Sequence, residues 1–201
     1  MKKFIATIPR QFTENLVPTK YEAMSDSLKS EVVTRFPIVV TIDANCQKGD
    51  EIEIIVLVAD YDVTRKNLVI FEQDVSELCE RKGIKYTIKK IDIPFDESQK
   101  THLQTIKKLV DCIDDYDMLY CCITYGTKPT PLVEIYAMNY AKIVKKDISI
   151  EAIVYGEMDF ETKKCRIFDV SALFYLNSIL DDAASLGTDD LEGFLSLMLN
   201  A

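Results

Sequence analysis

The sequence predicts a doubly wound α/β domain: a mostly parallel sheet with helices on both faces, finished by a C-terminal β-hairpin and closing helices. Two observations carry that prediction. Glu51–Asp60 and Asp117–Thr124 contain apolar runs without the alternation of a half-exposed strand, so both faces of these strands are expected to be covered. Strand-like segments also alternate along the chain with segments whose apolar residues recur at helical spacing, the order that βαβ units produce.

Each element follows from its own residues. Lys3–Arg10 reads as a first strand ended by Pro9. Gln11–Met24 is polar and irregular. Ser25–Cys46 is ambiguous, because Phe36–Ile42 is β-branched like a strand while Pro37 suits the first turn of a helix. After the buried strand Glu51–Asp60, Leu68, Phe71, Val75, Leu78 and Cys79 fall on one helical face, and Gly83 supplies a stop. Lys85–Ile93 alternates as a strand. Leu103, Ile106, Leu109, Val110 and Ile113 repeat the helical spacing. Asp117–Thr124 is the next buried strand, and Pro131–Lys145 a helix with Pro131 in its first turn. Ile148–Tyr155 and Cys165–Val170, joined by the polar stretch Gly156–Lys164, form a hairpin expected at one edge of the sheet. Ser171–Ala184 and Asp189–Leu199 are the closing helices, with Ser171 and Thr188 as N-caps. Residues 1–185 are thus expected to form a Rossmann-like domain, and residues 186–201 a helical tail or the start of a linker to an effector domain.

Composition excludes several classes of function. The 201 residues carry 24 Lys and Arg against 33 Asp and Glu, a net charge of −9, which disfavours non-specific binding to duplex nucleic acid. The acidity is concentrated: residues 1–35 balance at +2 and residues 147–201 at −8. The longest apolar runs, Ile54–Ala59 and Met118–Ile123, are too short to span a bilayer, and no secretory signal is evident. Six cysteines without a spacing pattern read as buried, reduced thiols of a cytoplasmic protein.

Doubly wound sheets bind ligands at the carboxyl ends of their strands, where the winding reverses. The loops expected there are Ile8–Thr13, Asp60–Arg65, Ile93–Ser98 and Thr124–Thr130. Thr124-Tyr125-Gly126-Thr127-Lys128 leaves a buried strand and enters a helix. Its hydroxyls, amides and lysine suit a phosphate or ribose, although the same pattern also serves as a plain strand-to-helix turn. Arg10 can face the same crevice as Lys128 if the first and fourth parallel strands are neighbours. Asp60-Tyr61-Asp62-Val63-Thr64 resembles the nucleophile loop of haloacid-dehalogenase-type phosphatases, with Thr124 as a second phosphate-binding hydroxyl and Asp181-Asp182 as a metal site. Against that reading, the family's nucleophile strand opens its domain, and Asp181-Asp182 falls inside a predicted helix. There is no G-x-G-x-x-G after a strand and no P-loop. His102, the single histidine, excludes His-based triads and multi-His metal sites and reads as a surface residue. Cys121 and Cys122 point to opposite faces of one strand and read as core. No cofactor or metal is expected.

Three stretches carry a family resemblance that covers the chain to about residue 185. They are Phe4-Ile5-Ala6-Thr7-Ile8, then Cys122-Ile123-Thr124-Tyr125-Gly126 with Lys128 and Pro131, and Ile153–Gly156 through Phe168–Ser171. Together they resemble the CRISPR-associated Rossmann-fold (CARF) domains, in the branch whose fourth strand runs into an Asp-x-Thr-His-Gly motif. Thr124 and Gly126 agree with that motif; Cys122 stands where it has Asp and Tyr125 where it has His. The resemblance implies that Pro37–Cys46 is the first helix. It also implies a two-fold homodimer binding cyclic tetra- or hexa-adenylate, the second messenger of type III CRISPR antiviral defence, across its interface. The implied ligand-binding residues are Thr7, Ile8, Pro9, Arg10 and Gln11 with Thr124, Tyr125, Gly126, Thr127 and Lys128. Two activities remain open under it: a non-catalytic sensor, or a metal-independent ring nuclease in which Lys128, helped by Arg10, stabilises charge while a ribose 2′-OH attacks the adjacent phosphorus. No HEPN ribonuclease pair is present, since the residues at the required distances before His102 are Asp96, Glu97 and Ser98.

Overall fold

A computed structural model describes residues 1–159, 161–162, 164–187, 193 and 196. In chain order the elements are β1 (Lys2–Thr7), β2 (Thr19–Lys20), β3 (Glu22–Ala23), β4 (Val33–Thr34), α1 (Pro37–Asn45), β5 (Glu51–Ala59), α2 (Asp62–Lys82), β6 (Lys85–Ile93), α3 (Gln99–Val110), β7 (Met118–Cys122), α4 (Thr130–Val144), β8 (Ser149–Met158), β9 (Cys165–Asp169) and α5 (Ser171–Ser185). The main sheet runs β3-β9-β8-β7-β1-β5-β6, and β9 is antiparallel to β8 while the other pairings are parallel. This is the predicted doubly wound, Rossmann-like architecture. Because β1 lies between β5 and β7, the winding reverses at the β1–β7 pair.

Alternate side chains of the central strands feed two cores. Phe4, Ala6, Ile54, Val56 and Cys122 face α1 and α2; Ile5, Ile55, Leu57 and Cys121 face the helices of the other side, including Val133, Ala137 and Met138 of α4. Cys121 and Cys122 therefore do point to opposite faces. Five of the six cysteines are buried, and all six are free thiols. No helix among the described residues is long and apolar enough to cross a membrane.

Four local outcomes refine the sequence reading. β1 stops at Thr7, three residues short of Arg10: Ile8 N still donates to Leu57 O (2.9 Å), but Pro9 has no N–H with which to continue. Phe36–Ile42 resolves as helix, with Pro37 opening α1, and every residue from Pro37 to Ile42 is buried. That helix reads like a strand because it has no polar face, and the preceding irregular segment covers it: Leu16, Tyr21, Leu28 and Val32 belong to the same core. The hairpin β8–β9 is not the outermost pair, since the two-residue β3 adds to β9 and Met24 N donates to Ile167 O (3.0 Å). A two-residue strand in a polar stretch leaves no periodicity to read. Finally, α2 ends at Gly83 in the left-handed conformation (φ 68°), as the sequence predicts. Of the second closing helix, Asp189–Leu199, only Gly193 and Ser196 are described, both helical, and the Thr188 cap lies outside the described residues.

Candidate functional site

The four loops marked by the sequence converge at the carboxyl edge of the sheet. Three of them enclose a cleft of about 40 Å³, large enough for a few ligand or water atoms. Thr7 and Arg10 enter it from β1, Phe95 and Glu97 from the loop after β6, His102 from α3, and Gly126 and Thr127 from the loop after β7.

The β1 loop is held by a residue that sequence patterns did not single out. Asn67, on the core side of α2 and fully buried, donates to the carbonyls of Pro9 (3.0 Å) and Gln11 (2.9 Å) and accepts from the Thr13 hydroxyl (2.8 Å). Ile8 and Pro9 are buried and shape the loop, and Gln11 is exposed. Arg10 turns toward the loops after β5 and β6. Its guanidinium lies 4.6 Å from the Tyr61 ring centre and 4.8 Å from that of Phe95, donates to the Tyr61 hydroxyl (2.9 Å), and stands 3.9 Å from Glu97.

The β7 loop divides between two faces. Thr124 accepts from Gly156 N (2.7 Å) and so ties the loop to β8. Tyr125 packs toward α1, its hydroxyl donating to Arg35 O (3.0 Å), and burial holds its phenol above the ordinary range. Gly126 has φ 118°, and a Cβ there would stand 2.6 Å from the Thr130 side chain, so only glycine fits. Thr127 returns to the cleft: its amide donates to the Thr130 hydroxyl (3.0 Å) and its own hydroxyl to Glu97 (3.1 Å). Lys128 is exposed and is not among the side chains lining the cleft. Of the ten residues implied by the resemblance, then, Thr7, Arg10, Gly126 and Thr127 meet in one cavity, while Thr124 and Tyr125 brace the loop from the opposite face. Cys122, at the motif's Asp position, is a buried thiol pushed up to about 11 by desolvation, so it brings no charge.

The loop after β6 is prepared by its own polar residues. Ser98 caps α3, accepting from Thr101 N (3.3 Å), and Asp96 accepts from the hydroxyls of Ser98 and Thr101 (both 2.6 Å). Those bonds hold the Asp96 carboxyl below the usual carboxylate range. They also fix the backbone that presents Phe95 and Glu97. His102 is half-buried with Nε2 3.6 Å from Glu97, so it belongs to the cleft wall rather than to open surface.

Beneath the cleft lies Glu134 of α4, fully buried. Thr7 donates to its Oε1 (2.8 Å), while Oε2 has no hydrogen-bond partner. Among the described side chains this state is shared only by Thr64 Oγ1, because the other two buried oxygens without hydrogen bonds, on Glu53 and Glu157, are ion-paired with Lys3 and Arg166. Desolvation pushes Glu134 up to about 8, against the opposing effect of the Thr7 bond. The signal was a lone acid among Val133, Ala137, Met138 and Ala141, the inward positions of α4.

The aspartates of the phosphatase-like loop are differently placed. Asp60 and Asp62 are both exposed and both paired with Arg65, and Thr124 faces Gly156 rather than Asp60. No group of three His, Cys, Asp or Glu among the described residues is arranged to hold a metal ion. The side chains of Asp181 and Asp182 lie outside the described residues. Neither a family model nor a curated protein matches the chain.

Proposed function

We propose that the chain is a cyclic oligoadenylate sensor of type III CRISPR antiviral defence, a cytoplasmic homodimer that closes two copies of this cleft on one cyclic tetra- or hexa-adenylate. The observation that carries the reading is the meeting of Thr7, Arg10, Gly126 and Thr127 in one cleft at the point where the winding reverses. Guanidinium, hydroxyl and amide groups are the donors and acceptors a ribose-phosphate backbone needs, and the exposed Lys128 can reach a phosphate from the rim.

The dimer has support of its own. Leu132, Tyr136, Tyr140, Ile143 and Val144 form a stripe along α4, each 48–80% exposed. The stripe starts at the helix end that borders the cleft. Two copies related by a two-fold axis running along α4 pack these stripes together and bring both β7 loops to the same end. Each loop is then presented twice to a ligand with two-fold symmetry.

The test is to incubate the purified chain with cyclic tetra- and hexa-adenylate, with and without EDTA, and to follow mass in solution, heat of binding and products. The sensor reading expects a dimer, one ring per two chains, and intact ring. Linear products with 2′,3′-cyclic phosphate ends formed in EDTA replace it by the ring-nuclease reading with Lys128 as the charge-stabilising cation. Magnesium-dependent phosphate release abolished by Asp60→Asn replaces it by the phosphatase reading. A monomer giving no heat with either ring overturns it.

A further inference from the structure

We propose that Phe95 and Glu97, backed by Arg10 and Tyr61, form the subsite that takes an adenine base: Phe95 stacks on the base and Glu97 accepts from its 6-amino group. The inference rests on the reading of the cleft as a cyclic oligoadenylate site and adds to it the third loop, after β6.

Phe95 is 60% exposed although it sits at the wall of a cleft. Its surroundings fix it in that position. The Tyr61 ring meets it edge-on, centroids 4.6 Å apart and planes at 69°, and the Arg10 guanidinium lies 4.8 Å from its centre. A cation held against an aromatic ring whose remaining surface is open makes a platform on which a flat base completes the stack. Every base has such a face, so stacking gives affinity without selectivity.

Selectivity comes from Glu97. Its Oε2 accepts from the Thr127 hydroxyl and Oε1 is 3.9 Å from Arg10, so a partly exposed carboxylate is pinned beside the platform with lone pairs to spare. An ionised carboxylate only accepts. It pairs with the amino group of adenine, and Arg10 holds it at the cleft. The same arrangement explains why Arg10 contacts two rings and an acid: it is the spacer that sets the platform and the carboxylate in register. Phe95 and Glu97 also lie on the stretch braced by Asp96, Ser98 and Thr101, so the pair is held before any ligand arrives.

The experiment measures binding calorimetrically for the wild-type chain, Phe95→Ala and Glu97→Ala. The probes are cyclic tetra-adenylate, cyclic hexa-adenylate, the corresponding rings built from purine riboside (which lacks only the 6-amino group), and AMP. Circular dichroism checks that both variants fold; Phe95 and Glu97 are exposed enough for this to be expected. Phe95→Ala should weaken the adenylate ring by about 5- to 150-fold, the range for loss of one base–aromatic stack. The wild type should prefer the adenylate ring over its amine-free counterpart by about tenfold, and Glu97→Ala should bind the two equally. A ring bound equally well by wild type and Phe95→Ala sinks the stacking platform and leaves the sensor reading standing. Equal wild-type affinity for the two rings removes the role of Glu97. Binding of AMP without either ring, weakened in Phe95→Ala, keeps the subsite and removes the cyclic ligand. No binding of any probe by the wild type overturns both.

Discussion

The two ends of the parallel sheet handle buried charge in opposite ways. At the amino end Lys3, 2% exposed, is surrounded by Asp114 (2.8 Å), Asp117 (3.0 Å), Glu53 (3.2 Å) and the Cys112 carbonyl (2.6 Å). Burial alone would lower its ammonium, yet the surrounding carboxylates hold it above the ordinary lysine range. The charge is answered from several sides and that end is closed. At the carboxyl end Glu134 is equally buried, has one hydroxyl for company, and keeps an oxygen without a partner. A cluster in which each buried charge has an ion-pair partner serves stability, whereas an acid left half-satisfied beneath a cleft costs it.

Removing charge at the two ends should therefore act in opposite directions. Lys3→Met leaves Glu53 without its cation and Asp117 with only the Met1 ammonium (3.1 Å), and breaking a buried pair this way costs up to about 3–5 kcal/mol. For a chain of this length that lowers the melting temperature by roughly 10 °C, measurable by circular dichroism. A melting temperature unchanged within a degree or two would erase the contrast between the ends. Glu134→Gln should do the reverse at alkaline pH. The folded-state pKa is raised from 4.5 to about 8, so the folded protein holds this proton more tightly than the unfolded chain. The contribution is fully present below about pH 4.5 and is lost as the pH rises through about 8, a span of up to roughly 5 kcal/mol. Denaturant unfolding at pH 5, 7 and 9 should thus show the variant gaining on the wild type with each step. Parallel profiles would mean that Glu134 titrates normally.

The contrast also explains what the sequence could convey. The central strands and the loops that follow them were legible because apolar runs and helical spacing are short-range patterns that tertiary packing only reinforces; that β1 lies beside β7 was only a condition until the folded sheet showed it. Phe36–Ile42 was not legible from its own pattern, because a helix covered on all sides loses the periodicity that marks it and Leu16–Val32 packs back over it; the helix over Pro37–Cys46 that the family resemblance implied is the one found, as Pro37–Asn45. The site was half legible. Gly126 and Thr127 follow from the strand-to-helix turn, and Arg10 from its position after β1. Asn67, Glu134 and Phe95 were invisible as partners, since they lie on α2, on α4 and in the loop after β6, and only the folded sheet brings them to the Pro9 and Gln11 carbonyls, to Thr7 and to Arg10 respectively. Thr124 and Tyr125 were misleading in the opposite sense: adjacent to the cleft in sequence, they turn their side chains to Gly156 and Arg35.

A smaller effect separates support of the cleft from its walls. Asn67→Ala strands the carbonyls of Pro9 and Gln11 and the Thr13 hydroxyl, a loss of about 1–3 kcal/mol. Hydrogen exchange should then speed up at Arg10–Thr13 while the β5 and β7 amides keep their protection. Faster exchange spread evenly over the sheet would instead make Asn67 a general core residue.

The smallest change in stability, and the sharpest separation of function from fold, belongs to Lys128. It is exposed at the rim, so Lys128→Ala should leave unfolding within about 0.5 kcal/mol of wild type. If it meets a phosphate, the variant should bind cyclic oligoadenylate more weakly and, because one cation fewer meets the polyanion, with a shallower dependence on salt. Titrations at 50 and 300 mM salt read both properties at once. An affinity that drops in the variant with an unchanged salt slope would place the lysine in the architecture of the loop, and an unchanged affinity would leave Arg10 as the cation that carries the site.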